Sequence, residues 1–170
     1  MANNCLYEMK IKGTKSNCKE WLKKMQSDAE KNHFWRIFEA EVYDEDGSEE
    51  DYYMMIAGDC AWSLETCCRA SGYSDGIDLF EVNTKELALE MEVYSSEPGL
   101  CFEEHYHYKN GNCLIAECVE ALYENIYSYD TFDEFKECLI ERDAKFKTLK
   151  EDEAMEEYKF GGFSSWEFSI

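Results

Sequence analysis

Apolar and polar side chains alternate along four segments of the 170-residue chain, and this alternation constrains the fold more than any other feature of the sequence. The four segments are 4–11, 33–43, 89–95 and 101–108. In the first of them, one face carries only Cys5, Tyr7, Met9 and Ile11. Because a period of two is typical of a strand with one buried face, the pattern predicts an antiparallel sheet with helices on one side.

A helix is predicted directly after the first strand. Gly13 ends the alternation, and Thr14 is suited to cap a helix that we expect to run to about Lys31. Apolar residues then recur at helical spacing, which is typical of a helix packed on a sheet: Cys18, Trp21, Leu22, Met25 and Ala29. The lysines of this segment are expected on or near its solvated side: Lys15, Lys19, Lys23 and Lys24.

The remaining elements complete a strand–helix–strand–strand–helix–strand order. Residues 52–57 are expected to pair with 33–43 across the loop DEDGSEE. Gly58 to Cys60 is expected to form a turn before a short helix that begins at Ser63, and a helical turn is expected to begin at Asn83 or Thr84. The turns at Pro98-Gly99 and 109–112 lead into two more strands. This order predicts an α+β fold of the ferredoxin-like split βαβ type, with extra C-terminal strands.

The last third of the chain predicts an appended element. Thr131 and Glu134 form a capping box for a C-terminal helix, whose apolar stripe is Phe132, Phe135, Leu139 and Phe146. The final segment, FGGFSSWEFSI, is expected to dock on the sheet as a strand. We therefore predict a core domain over 1–118 and a C-terminal helical extension over 119–170 that packs on it.

Charge is distributed very unevenly. The chain has 38 Asp and Glu against 17 Lys and Arg, a net charge of −21. Residues 37–135 hold 25 of the acids and only three basic residues, Arg69, Lys85 and Lys109. Such crowding of like charge lowers the stability of the fold through self-repulsion. Two explanations of the acids are therefore weighed against each other: binding of a partner, and solubility alone. The negative charge also argues against direct binding to nucleic acid, whose phosphates would repel the molecule.

The acids fall on predicted outward positions. Eight of them lie within 39–51, and two more alternate along the strand near residue 91, giving a predicted partner-binding set of Glu39, Glu41, Asp44, Glu45, Asp46, Glu49, Glu50, Asp51, Glu90 and Glu92. Alternate residues of a strand stand about 6.6 Å apart and neighbouring strands about 4.8 Å apart. DNA presents a phosphate about every 3.4 Å along each strand, so two acidic strands approach its charge density. Exposed tyrosines beside them would anchor a partner: Tyr43, Tyr94 and one of Tyr52 and Tyr53. The alternative interpretation is an acidic edge that blocks strand pairing between copies.

A second candidate site lies on one predicted strand. Cys101, Glu103, His105 and His107 share a face at a spacing of two, and they are candidate ligands for a divalent metal, with Cys60 as a nearby thiol. The alternative is that both histidines are outward polar positions opposite the inward Phe102, Tyr106 and Tyr108. We predict no cofactor and no catalytic residue. The nine cysteines have an odd count and no CxxC spacing, which argues against a disulfide framework or a structural zinc site.

Several short motifs resemble those of the YubB-like ferredoxin-fold family, which plasmids, phages and other mobile elements carry. These motifs are Met1-Ala-Asn with the strand–Gly13-Thr14–helix opening, Ala61-Trp62-Ser63, and the run from Ser96 to Phe102. The resemblance covers about residues 1–118, and the family has prolines where this chain has Leu64-Glu65. It implies the fold and a mobile-element setting, and it supplies no activity.

The predicted function combines this setting with the charge. We expect a non-enzymatic acidic protein that binds and inhibits a basic, nucleic-acid-handling host protein by mimicking nucleic acid, as an anti-CRISPR or anti-restriction inhibitor does. The alternatives are a metal- or thiol-dependent activity at the Cys/Glu/His strand, or a self-associating accessory protein, and a homodimer stays open. The start of the chain lacks the plan of a signal peptide and no apolar run is long enough to span a bilayer, so we expect a location in the host cytosol and no membrane partner.

Overall fold

A computed structural model describes residues 4–27, 34–69, 76–120, 129–142, 144–151 and 166–170. Six strands form one antiparallel sheet: β1 (Asn4–Gly13), β2 (Ile37–Gly47), β3 (Tyr52–Ala61), β4 (Glu90–Glu97), β5 (Phe102–Lys109) and β6 (Asn112–Glu120). The helices of the described residues are α1 (Lys15–Met25), α2 (Leu64–Cys68), α3 (Leu79–Glu86) and α4 (Phe132–Arg142), and a 3-10 helix spans Ala144–Thr148.

The strand order across the sheet is β2-β3-β1-β4-β5-β6, and every neighbouring pair is antiparallel. The first four strands in this order make the split βαβ arrangement, because β3 lies between β2 and β1 while β4 joins the other side of β1. The two extra strands extend the sheet beyond β4. The predicted α+β ferredoxin-like fold with additional strands is therefore confirmed.

The core lies between the sheet and helices α1 to α3. The predicted inward residues of β1 are all buried, and Trp21 of α1 stacks with Phe80 of α3 at a centroid distance of 6.2 Å. Phe80 also contacts Tyr106 and Tyr108 of β5, at 6.0 and 5.6 Å, so the first extra strand belongs to the same core. Burying aromatic side chains of this size contributes most of the apolar driving force of a small domain.

Helix boundaries follow capping chemistry. The hydroxyl of Thr14 accepts from the amide of Asn17, so the predicted cap of α1 is confirmed. The hydroxyl of Ser63, where a short helix was expected to begin, accepts from the amide of Thr66 and caps α2. Helix α3 was expected to begin at Asn83 or Thr84, and this was wrong. Its cap is Asp78, whose carboxylate accepts from the amides of residues 80 and 81, and an Asp cap outweighs the weak apolar pattern there.

Three further expectations need correction. Lys24 was placed on or near the solvated side of α1, but it is buried and donates to Asn83 and Glu86. The turn expected at Gly58 to Cys60 is the continuation of β3. Helix α1 ends at Met25 rather than near Lys31, and Ala29 falls outside the described residues.

The C-terminal part has its own small apolar cluster. The Thr131 hydroxyl accepts from the Glu134 amide, which is the N-cap half of the predicted capping box. The cluster consists of Phe135, Leu139, Phe146 and Leu149. Strand β6 runs to Glu120, two residues past the predicted domain boundary, and the division into two domains stays a prediction. Residues 166–170 lie against the sheet as expected, but they do not pair as a strand.

Candidate acidic binding surface

The β2–β3 hairpin places a row of carboxylates on the side of the sheet opposite the helices, which we call the open face. Ala40 and Val42 point toward the core, since Val42 pairs with the buried Ile56. The alternate residues Glu39 and Glu41 therefore lie on the open face, and both are exposed.

A bulge extends this row toward the turn. The register shifts between Val42 and Asp44, so that Asp44 pairs with Met55 and Asp46 pairs with Tyr53. Since Met55 and Tyr53 lie between buried neighbours of β3, both aspartates stay on the open face. The loop expected at DEDGSEE is correspondingly shorter, because β2 continues to Gly47.

Three more acids crowd the turn itself. Gly47 has a φ of 113°, a conformation that side chains disfavour, and a Cβ there would lie 2.2 Å from the carbonyl oxygen of Asp51. The amide of Ser48 donates to that carbonyl at 2.9 Å, which closes the turn. Glu49, Glu50 and Asp51 lie in this turn, and all three are exposed.

Lysines of α1 compensate only two of the eight hairpin acids. Lys19 forms a short ion pair with Glu45, and Lys15 lies 3.7 Å from Glu49. The hydrogen bond from Lys19 lowers the pKa of Glu45. Among the described residues the other six acids have no ion pair, so the hairpin is a strongly negative surface: Glu39, Glu41, Asp44, Asp46, Glu50 and Asp51.

The second acidic row is not available to a partner, and its assignment was wrong. Glu92 lies on the open face but is only 1% exposed, because the amide and hydroxyl of Ser169 both donate to it. Glu90 is half-buried and accepts from His107 at 3.0 Å and Lys109 at 2.8 Å. Although burial acts in the opposite direction, these two hydrogen bonds lower the pKa of Glu90. The candidate surface therefore consists of the hairpin acids alone.

The predicted tyrosine anchors are only partly exposed. Tyr43 is 52% exposed beside Glu8, to which its hydroxyl donates at 3.2 Å. Tyr53 is half-buried, and its hydroxyl donates to Asp44. Tyr94 and Tyr52 are buried and were wrongly expected at the surface, Tyr94 because residues 166–170 cover it.

The Cys/Glu/His strand does not assemble the predicted metal or thiol site. His105 and His107 do share the open face of β5 with Glu103, but their Nε2 atoms lie 2.9 and 3.0 Å from carboxylates of β4. In the described part of the chain no group of three or more His, Cys, Asp or Glu side chains is arranged to hold a metal ion. Cys101 precedes the strand in a turn with a φ of 56°, where its thiol donates to the carbonyl of Pro98.

Cys60 is also on the wrong side of the sheet for that site. It pairs with Cys5 on the helix-covered face and is fully buried, whereas the two histidines lie on the open face. Hydrogen bonds from Cys5 and Cys67, together with burial, raise the pKa of the Cys60 thiol. Burial likewise raises the pKa of Cys68, and it raises that of Cys18 to about 11. Because the thiolate is the reactive form, these buried thiols are poor nucleophiles.

Sequence reasoning missed a buried carboxylate on the other face. Glu104 is 1% exposed and accepts from the amides of Leu64 and Glu65 at the start of α2, and from the hydroxyls of Ser95 and Tyr106. It borders a cavity of about 240 Å³ that Arg69 also lines. Burial, followed by the charge of Glu104, raises the pKa of Tyr106. All of these donors belong to the protein, so Glu104 anchors α2 to the sheet. The alternation of β5 places residue 104 on the inward face. Because glutamate is charged and rarely buried, the sequence pattern gave no indication that Glu104 anchors α2.

No helix in the described ranges is both long enough and apolar enough to cross a membrane. Comparison of the chain with protein-family models, with curated proteins and with solved structures found no match.

Proposed function

We propose that the protein is a non-enzymatic inhibitor whose acidic β2–β3 hairpin binds the nucleic-acid-binding surface of a basic host protein. The observation that carries the proposal is the group of six exposed carboxylates on one hairpin that form no ion pair among the described residues. Four of them follow one strand on a single face: Glu39, Glu41, Asp44 and Asp46.

The geometry of this row supports charge mimicry. Carboxylates on alternate residues stand about 6.6 Å apart. The bulge keeps Asp44 in this row, because Glu41 and Asp44 pair with Ala57 and Met55, which are alternate residues of β3. A basic groove that evolved to bind phosphates attracts such a row at long range, with association that is fast and sensitive to salt. Inhibition of a restriction enzyme or a CRISPR effector fits this chemistry and the mobile-element setting that the YubB-like resemblance implies.

The binding test uses a charge-reversed hairpin. Asp46, Glu49, Glu50 and Asp51 are replaced together by Lys, and the variant is compared with wild type in capture from host lysate followed by a salt titration. We expect the captured protein to bind nucleic acid by itself, to lose it to the wild-type chain, and to bind the variant at least about 100-fold more weakly.

A matched control changes the net charge equally at another place. Asp130, Glu134, Glu137 and Glu141 are exposed acids in and before α4, and their replacement by Lys is expected to leave the affinity nearly unchanged. Equal loss in both variants would show that net charge alone matters. Undiminished binding of the hairpin variant at low salt would reject the proposal.

A further inference from the structure

A groove of about 490 Å³ lies on the open face beside the acidic hairpin. Its floor is formed by Ala57 and Gly58 of β3, where small residues leave the sheet surface uncovered. The size falls within the range of about 300–1,000 Å³ that is typical of clefts for small ligands.

The walls of this groove are apolar and aromatic. Leu6 is 54% exposed and Tyr43 is 52% exposed, so both offer apolar surface to a ligand. Trp166 lines the opposite side. Its ring is held in place by stacking on Tyr94 at a centroid distance of 6.1 Å, while Tyr94 in turn donates to the carbonyl of Glu167. The residues 166–170 therefore build one wall of the groove as well as covering β4.

The rim carries carboxylates of two kinds. Glu8 and Asp59 each accept a hydrogen bond from a neutral side chain, Tyr43 and Asn4 respectively. The carboxylates of Glu39 and Glu41 have no hydrogen bond or ion pair from a side chain among the described residues, and both residues are exposed. A groove with apolar walls and anionic rims matches a group that has an apolar body and a cationic head.

We propose that this groove takes an arginine side chain from an extended, basic segment of the partner. This inference rests on the proposed function, since it names the group through which the basic partner would engage the hairpin. A guanidinium is planar, stacks on aromatic rings such as those of Trp166 and Tyr43, and donates two parallel hydrogen bonds to a carboxylate such as Glu41 or Glu39. A lysine ammonium is a compact and strongly hydrated charge, so it gains less from aromatic walls.

The test measures binding of the peptide acetyl-Gly-Arg-Gly-Arg-Gly-amide and its lysine counterpart by isothermal titration calorimetry at about 0.15 M salt. The wild-type chain is expected to bind the arginine peptide with one saturable site and about fivefold to tenfold more tightly than the lysine peptide. Replacing Glu39 and Glu41 with Gln is expected to weaken arginine-peptide binding about tenfold.

The matched control is Glu49→Gln with Glu50→Gln, which removes the same charge from the turn, outside the groove. The affinity of this variant for the arginine peptide is expected to stay within about twofold of wild type, because charges in the turn act only weakly on the groove at this salt concentration. Trp166→Leu keeps an apolar wall without a π face, and it is expected to abolish the preference for arginine over lysine while circular dichroism shows an intact fold.

The outcomes separate this inference from the proposed function. Equal weakening by the groove pair and the turn pair, non-saturable binding, or no preference for arginine would each overturn the groove assignment, even if the lysate partner is captured. Saturable, Trp166-dependent arginine binding would support it, even if the captured partner never competes with nucleic acid and charge mimicry fails.

Discussion

At the scale of single residues, Gly58 of β3 shows how closely its two neighbouring strands, β1 and β2, pack around it. The Tyr7 hydroxyl donates to the carbonyl oxygen of Glu39 at 2.6 Å across the position of Gly58. A Cβ on Gly58 would lie 2.6 Å from that hydroxyl and 2.0 Å from the same carbonyl oxygen. The second contact is with backbone, so a side chain there has to push β2 away from β3.

We therefore expect Gly58→Ala to lower the free energy of unfolding by about 1–3 kcal/mol, the usual cost of overpacking. Urea unfolding followed by circular dichroism measures it. Tyr7→Phe is the companion variant, since it removes the hydroxyl and is expected to cost about 1 kcal/mol through the lost hydrogen bond. In the Tyr7→Phe background the Gly58→Ala cost should persist, because the clash with Glu39 remains. A neutral Gly58→Ala would contradict this packing.

At the scale of elements, period-two alternation identified β1, β4 and β5 together with the faces of their residues. It worked there because one face of each strand packs against the helices, so Cys5 and Met91 had to be apolar. It failed for β2 beyond Tyr43, where a run of acids and a glycine has low strand propensity. Pairing with Tyr53 and Met55 overrides that propensity. At the other end of β2, a register shift between Ile37 and Glu39 leaves Phe38 50% exposed, and no sequence pattern predicted this shift.

The candidate site shows the same limit. The exposure of the hairpin acids was predictable from the local pattern, because in the described part of the chain all eight stay exposed. Glu92 was placed correctly on its face but wrongly at the surface, since a period of two specifies a face and not what covers it. The covering segment lies 77 residues away in the chain, where Ser169 binds Glu92. Contacts at that separation depend on the tertiary fold, so local pattern carries no signal for them.

The terminal segment 166–170 supplies a prediction at this scale. Its removal would take two hydrogen bonds from the Glu92 carboxylate and uncover Tyr94, which Phe168 contacts edge-on at 5.6 Å. Hydrogen bonds to a charged group contribute about 1.5–3 kcal/mol, so we expect the truncated chain to unfold about 2 kcal/mol more easily in urea. Ser169→Ala keeps the backbone donor and should show about half of this loss. An unchanged midpoint after truncation would show that the segment is not bound at Glu92.

At the scale of the whole molecule, charge is segregated rather than spread evenly. The stretch from Ile37 to Asp59 contains nine acids and no basic residue, whereas α1 carries four lysines, two of which reach the hairpin. Lys24 is buried against α3, so it does not offset the hairpin. The folded chain thus gathers like charges closer together than an unfolded chain would, and its stability carries the cost.

Salt should relieve that cost. Between about 0.01 M and about 1 M NaCl the Debye length falls from about 30 Å to about 3 Å, so we expect the melting temperature to rise by about 2–4 °C, which is about 1 kcal/mol for a chain of this length. Differential scanning calorimetry measures the change. A variant with Asp46→Asn, Glu41→Gln and Glu50→Gln should melt higher at low salt and respond less. A fall in melting temperature with salt would mean that ion pairs, and not repulsion, dominate the net electrostatics.

All nine cysteines are free thiols, and they divide sharply by accessibility. Five are sealed in the core, but Cys113 and Cys118 are exposed on the edge strand β6. Air oxidation during purification would therefore link two copies through this edge while leaving each interior intact. Such covalent pairs would imitate a native dimer in sizing columns and would bring two acidic hairpins into one particle, so a reductant has to be present before stoichiometry is assigned.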